Sequence, residues 1–453
     1  MNRIVYPRER FLSDYRSLRK QGPDAGLRVG AGLCCSGEGA EILVPPAAGG
    51  DAAARRNLWL QLTRNLRASH ELPKAFDAAL FLGQGRELGQ EQGLIRMEAG
   101  EVESVHELDL PGPAMDRIAL LPPREKPASA KEMFSRVEGA LGAAAWRRLA
   151  RLRFAIVGAG RLGGGLAVAL AREGAENFTL VDPDTFELHN VGGGLTGTSA
   201  DAGRSKVRVV AGALRAVNPD VHVLEVARSV THFHALEAIK SADLLISASD
   251  TDSARLACAW LSALYLKPLL DVGVGVFRDG DRREIGADAR LVWPGRCLLC
   301  AGGLRAAQEA RRVLASAEAE RLLNSAAADW RRSRAGSPGS LNAAAGAGLA
   351  VRMIEDFVEG ALVENGAWTR LEFGGDGRLR VRHLGQPPPE GMNCCCRFAG
   401  LGDDGLGEVV KQIAQAAPQS GSAAHPEPGL HQALILAPRA TSGERTEERG
   451  TQQ

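Results

Sequence analysis

Polar residues that could bind a nucleotide and its metal ion follow strand-like runs in the middle of the chain. The stretch VDPDTFELHN supplies Asp182, Asp184 and Asn190 directly after one such run. Lys206 opens a helix-like segment in GRSKVRVV, and Asp250 ends the run DLLISASD. A cation beside carboxylates suits a triphosphate with Mg²⁺, because lysine neutralises phosphate charge and aspartate holds the metal.

A glycine-rich motif, GAGRLG, occupies residues 158–163 between a strand-like run and a helix-like segment. Its glycines allow a tight turn, and free N–H groups at the helix start attract phosphate. Asp182 comes 19 residues after Gly163, where a ribose-binding acid belongs. These features fit a nicotinamide dehydrogenase equally well, and a turn without a ligand is a further alternative. Lys206 and Asp250 favour a triphosphate, since a dehydrogenase would not need both.

The elements that must position these residues alternate along the chain. Their order predicts an α/β fold with a Rossmann-like, mainly parallel sheet and helices on both faces. Ligands of such sheets lie beyond the carboxyl ends of the strands. The predicted strands cover 154–158, 178–182, 221–227, 243–250 and 267–276, and the predicted helices cover 161–175, 205–219, 232–242 and 253–266.

Residues 136–417 resemble the ThiF/MoeB-type adenylyltransferases, the catalytic core shared with ubiquitin-activating enzymes. The matching motifs, in order, are VDPDTFELHN, GRSKV, VNPDVHV, SASDTDSAR, KPLLDVGV and a CxxC. The resemblance implies ATP-dependent adenylation of the C-terminal glycine carboxylate of a ubiquitin-like protein, with release of pyrophosphate.

The resemblance also implies a role for each site residue. Asp250 binds Mg²⁺ beside the carboxylate under attack, Asn190 and Lys206 contact the phosphates, and Asp182 holds the ribose. The nucleotide-binding set as a whole is Gly158, Gly160, Arg161, Gly163, Asp182, Asp184 and Arg255.

One departure from the family pattern concerns an arginine. The family usually has one three residues beyond the asparagine, where this chain has Gly193 in HNVGGGL. Arg161, Arg204 or an arginine from a second subunit could compensate, since the family commonly dimerises.

Cysteines at two places suit zinc, because CxxC offers two thiolates to one tetrahedral ion. The first pair is Cys297 and Cys300, and the partner pair comes from the run Cys394, Cys395 and Cys396. We favour Cys394 and Cys396 as the zinc ligands.

The family's thioester nucleophile has no obvious counterpart, since residues 301–393 contain no cysteine. Either the protein only adenylates, or the spare thiol of the CCC run takes the acyl group. Cys258 is predicted to pack in the core, and Cys34 and Cys35 are assigned a buried structural role.

Composition sets the wider limits. The 453 residues include 55 Lys and Arg and 54 Asp and Glu. The net charge is therefore too small to attract nucleic acid or an anionic membrane by itself. No apolar run reaches the roughly 18 residues that a membrane span needs, and the charged N-terminus lacks an apolar signal core. A cytoplasmic protein is expected.

Three regions are predicted. Residues 1–135 form a smaller α+β module. His70 and His106 alone cannot supply the zinc ligands of a metalloprotease, so this module is predicted to be noncatalytic and to serve partner binding or dimerisation. Residues 136–417 form the adenylation domain, and the Gly-, Ser- and Pro-rich residues 418–453 form a disordered tail.

Several functional alternatives remain at this point. The expected partners are a ubiquitin-like protein ending in glycine, a conjugating enzyme and a second copy of the chain. The pathway is either a bacterial ubiquitin-like conjugation system, possibly in defence, or sulfur-carrier activation for cofactor synthesis. The loss of the arginine at Gly193 also fits a binding module that no longer catalyses adenylation.

Overall fold

The structure is a computed structural model, and it describes most of the middle of the chain. The described residues are 132–279, 282–293, 296–304, 337–362, 367–373, 378–383, 395–400 and 406, with the backbone of eight strands between residues 3 and 119. The predicted tail, the predicted roles of Cys34, Cys35, His70 and His106, and zinc ligation by Cys394 lie outside this set.

The described strands of the N-terminal region form two sheets. A three-stranded sheet has the order β1-β7-β8, and a five-stranded antiparallel sheet has the order β3-β2-β4-β5-β6. The strands are β1 (Arg3–Val5), β2 (Gly26–Gly30), β3 (Ala40–Leu43), β4 (Phe76–Phe81), β5 (Gln92–Arg96), β6 (Val102–Val105), β7 (Glu107–Leu110) and β8 (Asp116–Ala119).

An eight-stranded sheet forms the frame of the predicted adenylation domain. Its order is β11-β10-β9-β12-β13-β14-β15-β16, and the first five of these strands run parallel. The strands are β9 (Arg153–Val157), β10 (Asn177–Val181), β11 (His222–Val226), β12 (Leu244–Ser247), β13 (Leu269–Asp279), β14 (Arg282–Val292), β15 (Ala367–Phe373) and β16 (Leu379–His383). The parallel core confirms the predicted fold class, whereas the antiparallel extension β14–β16 was not predicted.

The helices connect these strands and close the domain. They are α1 (Ser135–Leu141), α2 (Ala143–Arg151), α3 (Arg161–Arg172), α4 (Leu188–Val191), α5 (Lys206–Val217), α6 (Phe233–Lys240), α7 (Asp252–Leu264), α8 (Gly339–Ala343) and α9 (Val351–Glu359). A π-helical segment, Ala344–Ala350, joins α8 to α9 without a break. Within the described part of the chain, every helix is too short or too polar to cross a membrane.

Each face of the sheet carries its own core, as strand geometry requires. Phe154 and Ile156 pack into one buried cluster with α3, α5 and α9. Ala155 and Val157 point the opposite way, into a second cluster with α6 and α7. Side chains alternate between the faces of a strand, so β9 is buried on both sides and the helices cover both faces.

The chain order places the candidate site at a reversal in the sheet. From β9 the chain moves outward to β10 and β11, then returns to add β12 on the other side of β9. The loops that leave β9 and β12 therefore diverge to opposite faces and leave a crevice at their carboxyl ends. Such a switch point is the usual ligand site of open α/β sheets.

We predict opposite stability effects for two helical glycines. A Cβ at Gly163 would lie 1.9 Å from the carbonyl oxygen of Gly158, whereas a Cβ at Gly212 in α5 meets nothing within 4 Å. Gly163→Ala should lower the free energy of unfolding by more than about 2 kcal/mol. Gly212→Ala should raise it by about 0.5–1 kcal/mol, because alanine loses less backbone entropy in a helix. Urea denaturation measures both, and a tolerated Gly163→Ala would contradict the packing described.

Candidate active site

The glycine loop after β9 combines two steric requirements with one open position. Gly158 has φ +97°, and a Cβ there would lie 2.8 Å from the backbone carbonyl of Ala248, just past β12. Gly163 has no room for a side chain either, because a Cβ there would lie 1.9 Å from the carbonyl oxygen of Gly158. A Cβ at Gly160, by contrast, meets nothing within 4 Å. The first and last glycines are therefore needed for packing, while the backbone at Gly160 can be approached closely by a ligand.

Asp182 connects this loop to the one after β10. Its carboxylate, 6% exposed, accepts hydrogen bonds from the backbone N–H of Ala159 at 2.7 Å and of Asp184 at 2.9 Å. Burial raises the pKa of Asp182, and the charge of Lys206 and the two amide hydrogen bonds oppose that rise. The carboxylate that the sequence assigns to ribose binding thus also fixes the two loops to each other.

Lys206 is positioned by a short pairing of two loop segments. The N–H of Phe186 donates to the carbonyl of Arg204 at 2.7 Å, and the N–H of Gly203 donates back to Phe186 at 2.8 Å. The N–H of Lys206 donates to the carbonyl of Asp184 at 3.0 Å. This pairing places the first residue of α5 beside the loop that follows β10.

The Lys206 ammonium interacts with three acidic groups of the site. Its Nζ donates to the carboxylate of Asp184 at 2.7 Å. Burial lowers the pKa of Lys206, but the charges of Asp182, Asp184 and Asp250 outweigh that effect and the pKa is raised. Asp182, Asp184, Lys206 and the exposed Asp250 thus lie within electrostatic reach of one another, at the edge of the sheet that holds the glycine loop.

Asn190 is buried at the end of the VDPDTFELHN stretch. Its side-chain oxygen accepts the N–H of Glu187 at 2.8 Å and completes a capping box on the short helix α4. Since that oxygen is engaged, the amide N–H groups are the part of Asn190 that suits phosphate oxygens.

Two arginines of this chain could compensate for the family arginine that is missing at Gly193, and their surroundings differ. Arg161, the first residue of α3, donates from Nη1 to the carbonyls of Gly192 at 3.3 Å and Ser337 at 3.2 Å. Arg204 pairs with the carboxylate of Asp201. Sequence reasoning missed Ser337, because it lies far along the chain from the glycine loop.

Arg255 differs from the nucleotide-binding role expected for it. Its guanidinium makes two hydrogen bonds to the buried Asp271, at 2.9 and 2.7 Å. It also donates to Asp252 at 2.8 Å and to the carbonyl of Gly303 at 2.7 Å. These contacts join α7 to β13, so the structure gives Arg255 a positioning role, and contact with a nucleotide stays a prediction.

Three of the described cysteines, Cys297, Cys300 and Cys396, form a thiol cluster. Cys297 and Cys300 are 3.4 Å apart at Sγ, Cys300 and Cys396 are 3.5 Å apart, and the three sulfurs lie within 4.8 Å of one another. Hydrogen bonds from Cys300, Cys395 and Cys396 hold the pKa of Cys297 well below its usual range. Converging thiols of this kind match the donor set of tetrahedral zinc. Cys258 is buried in the core, as predicted.

We predict that Lys206→Met lowers the free energy of unfolding, and that the loss grows as pH rises from about 4 toward neutrality. Burial already raises the folded pKa of Asp182, and removing the lysine charge raises it further. An acid whose pKa is higher in the folded state costs stability across that interval, because the unfolded chain releases the proton first.

Urea denaturation of the nucleotide-free protein at several pH values measures this effect. Lys206→Arg is the matched control, because it keeps the charge and should show a smaller pH-dependent loss. A deficit in Lys206→Met that is the same at every pH would contradict the charge coupling to Asp182.

Comparison with known proteins finds a family match in the middle of the chain. Residues 134–328 match the model of the ThiF family. Adenylyltransferase and sulfurtransferase MOCS3-1 of Zea mays is 33% identical over 124 residues, which are 27% of this chain and 26% of the relative. Ubiquitin-like modifier-activating enzyme 7 of Homo sapiens is 34% identical over 151 residues, 31% of this chain and 15% of the relative.

Among solved structures, E. coli MccB with ATP is similar over 59% of this chain and 75% of that chain, at 18% identity and a TM-score of 0.44. The chain spans 26% and 15% of the lengths of the two relatives above. The family match confirms the resemblance read from the motifs: the chain carries a ThiF family domain over residues 134–328.

Proposed function

We propose that the protein is a cytoplasmic, ATP-dependent adenylyltransferase that activates the C-terminal glycine carboxylate of a ubiquitin-like protein. The observation that carries this proposal is the grouping of Lys206 with Asp182, Asp184 and Asp250 beside the glycine loop. Three acids around one lysine exceed what a ribose alone requires, and they suit a nucleoside triphosphate with its metal ion. The ThiF family match supports the same reaction class.

The reaction is a nucleotidyl transfer. An oxygen of the glycine carboxylate attacks the α-phosphorus of ATP and forms a new O–P bond. The bond from that phosphorus to the bridging oxygen breaks, and pyrophosphate leaves with the electron pair. The product is an acyl-adenylate, a mixed anhydride ready for attack by a sulfur or nitrogen nucleophile.

The charge of each site residue determines which part of the nucleotide it would bind. Lys206 neutralises negative charge on the phosphates, and the N–H groups of Asn190 donate to phosphate oxygens. Asp182 accepts hydrogen bonds from the ribose hydroxyl groups. The exposed carboxylate of Asp250 offers the hard oxygen ligand that Mg²⁺ prefers, and bound Mg²⁺ would supply further neutralisation of the triphosphate.

The partner and pathway form the finer part of the proposal. One relative bears the name of a ubiquitin-like modifier-activating enzyme, and another couples adenylyltransferase to sulfurtransferase activity. We favour a bacterial ubiquitin-like conjugation pathway with a conjugating enzyme and a homodimeric activating enzyme. Activation of a sulfur-carrier protein is the second candidate, which the name of the Zea mays relative favours.

Asp250→Ala should strongly reduce ATP–pyrophosphate exchange in the presence of the protein substrate. The loss should be about 10²-fold or more, because Mg²⁺, which would neutralise the leaving phosphates, loses this ligand. Exchange of radiolabelled pyrophosphate into ATP is measured with a panel of ubiquitin-like and sulfur-carrier proteins, each intact or lacking its terminal glycine.

The matched control for this exchange is Asp220→Ala. Asp220 is exposed beyond α5, outside the group of acids around Lys206, and the variant should exchange like wild type. Exchange that needs neither Asp250 nor the terminal glycine would contradict adenylation at this site. Wild type that binds a panel protein without exchange would make the chain a binding module.

We also propose that the thiol cluster holds a structural zinc ion, with Cys297, Cys300 and Cys396 among its ligands. Cys396→Ser should then lower the zinc content and the thermal midpoint, since structural zinc contributes to folding free energy. Elemental analysis of purified protein measures the metal. Cys258→Ala is the control for zinc content, because Cys258 is buried in the same apolar core but is not one of the three converging thiols. Unchanged zinc in Cys396→Ser would contradict the proposal.

A further inference from the structure

The cations at the candidate site differ in what neutralises them. Lys206 contacts the carboxylate of Asp184, and Arg204 pairs with Asp201. Arg255 pairs with both Asp252 and Asp271. For Arg161, every hydrogen bond within the described part of the chain goes to a backbone carbonyl. This guanidinium therefore carries a positive charge that no described carboxylate offsets.

The position of Arg161 suits an anionic ligand. It is the first residue of α3 and follows Gly160, where the loop backbone is open to a ligand. Nη1 is engaged by the carbonyls of Gly192 and Ser337. Nε and Nη2 make no hydrogen bond to the described residues, and together they form the fork that binds a phosphate through two parallel bonds.

The carbonyls that orient Arg161 are themselves held by a close glycine contact. Gly193 has φ +81°, and a Cβ on Gly339 would lie 2.9 Å from its Cα. Asn342 donates from Nδ2 to the Gly193 carbonyl at 3.2 Å, and Ser337 donates to the Asn342 side-chain oxygen at 2.8 Å. The N-terminal end of α8 thereby fixes the loop against which the guanidinium rests.

The same contact explains why position 193 carries no side chain. A Cβ on Gly193 would lie 3.1 Å from the backbone nitrogen of Gly339, in a backbone conformation that favours glycine. It would also lie 3.5 Å from Nη1 of Arg161. The guanidinium thus occupies the space beside position 193 that a residue there would enter.

From these contacts we propose that Arg161 binds the triphosphate of the nucleotide, held in place by the Gly192 and Ser337 carbonyls. This inference rests on the proposed function for its ligand, and it assigns the phosphate-binding charge to Arg161 instead of Arg204 or an arginine of a second subunit. It makes α8 a structural support of the phosphate site. Arg161 is a ligand-binding residue in this scheme, while Gly193, Gly339 and Asn342 are positioning residues.

The test uses the full-length protein and MgATP as the probe. Calorimetric titration should show that Arg161→Ala binds MgATP about tenfold to a hundredfold more weakly, the range for a lost charged hydrogen bond. Arg161→Lys should recover part of the affinity, because the charge returns without the fork. Arg172→Ala, an exposed arginine at the other end of α3, should bind like wild type.

Two further readouts separate binding from a folding defect. The thermal midpoint without nucleotide should stay close to wild type in Arg161→Ala, and added guanidinium ion should restore part of its MgATP affinity. An unchanged MgATP affinity in Arg161→Ala, or a larger loss in Arg204→Ala, would overturn the assignment. So would a loss that guanidinium does not rescue and that tracks a lowered thermal midpoint.

The outcome also separates this inference from the proposed function. Wild type that binds MgATP but shows no pyrophosphate exchange with any panel protein would refute adenylation, and the affinity of Arg161→Ala would still decide the role of Arg161. Wild type that exchanges, with Arg161→Ala exchanging equally well at MgATP concentrations below the wild-type dissociation constant, would refute the inference and leave adenylation standing.

Discussion

The close approach of the Gly158 loop to the backbone of Ala248 is the constraint on which the site depends. It brings the loop after β9 against the loop after β12, with a Cβ at Gly158 only 2.8 Å from the Ala248 carbonyl. Because β9 and β12 are parallel neighbours, this contact lies at the reversal of the strand order. Helix α3 begins there, and Asp250 follows two residues beyond Ala248. A side chain at Gly158 would separate the nucleotide loop from the acid proposed to hold the metal.

Charge burial is the second constraint, and it works against stability. The carboxylate of Asp182 is buried, which raises its pKa, and Lys206 together with two backbone amides offsets part of that cost. A site that keeps such groups buried before any ligand arrives is pre-organised, because less charge has to be desolvated on binding. The guanidinium of Arg161, which no described carboxylate offsets, fits the same arrangement, since a triphosphate would supply its counter-charge.

Sequence patterns predicted the parallel core because most of its strands are short, largely apolar runs that alternate with helix-like segments. They did not predict β14, where the half-buried Asp288 and the buried Arg290 alternate with the apolar residues Ala287, Ala289 and Leu291. Those charges pair with Arg370 and Asp271, which lie on other strands. The role of Arg255 was missed for the same reason: its partner Asp271 is brought opposite it by tertiary packing. Local motifs located the glycine loop, whereas contacts between distant segments determine what each arginine contacts.

A nucleoside triphosphate is proposed to bind in the crevice between β9 and β12. A crystal structure of the full chain grown with MgATP would locate the bound nucleotide. We expect phosphates against the glycine loop and within hydrogen-bond distance of Lys206, with the ribose at Asp182. Nucleotide density elsewhere on the protein, or an adenosine at this edge with its phosphates directed away from Lys206, would contradict this proposal.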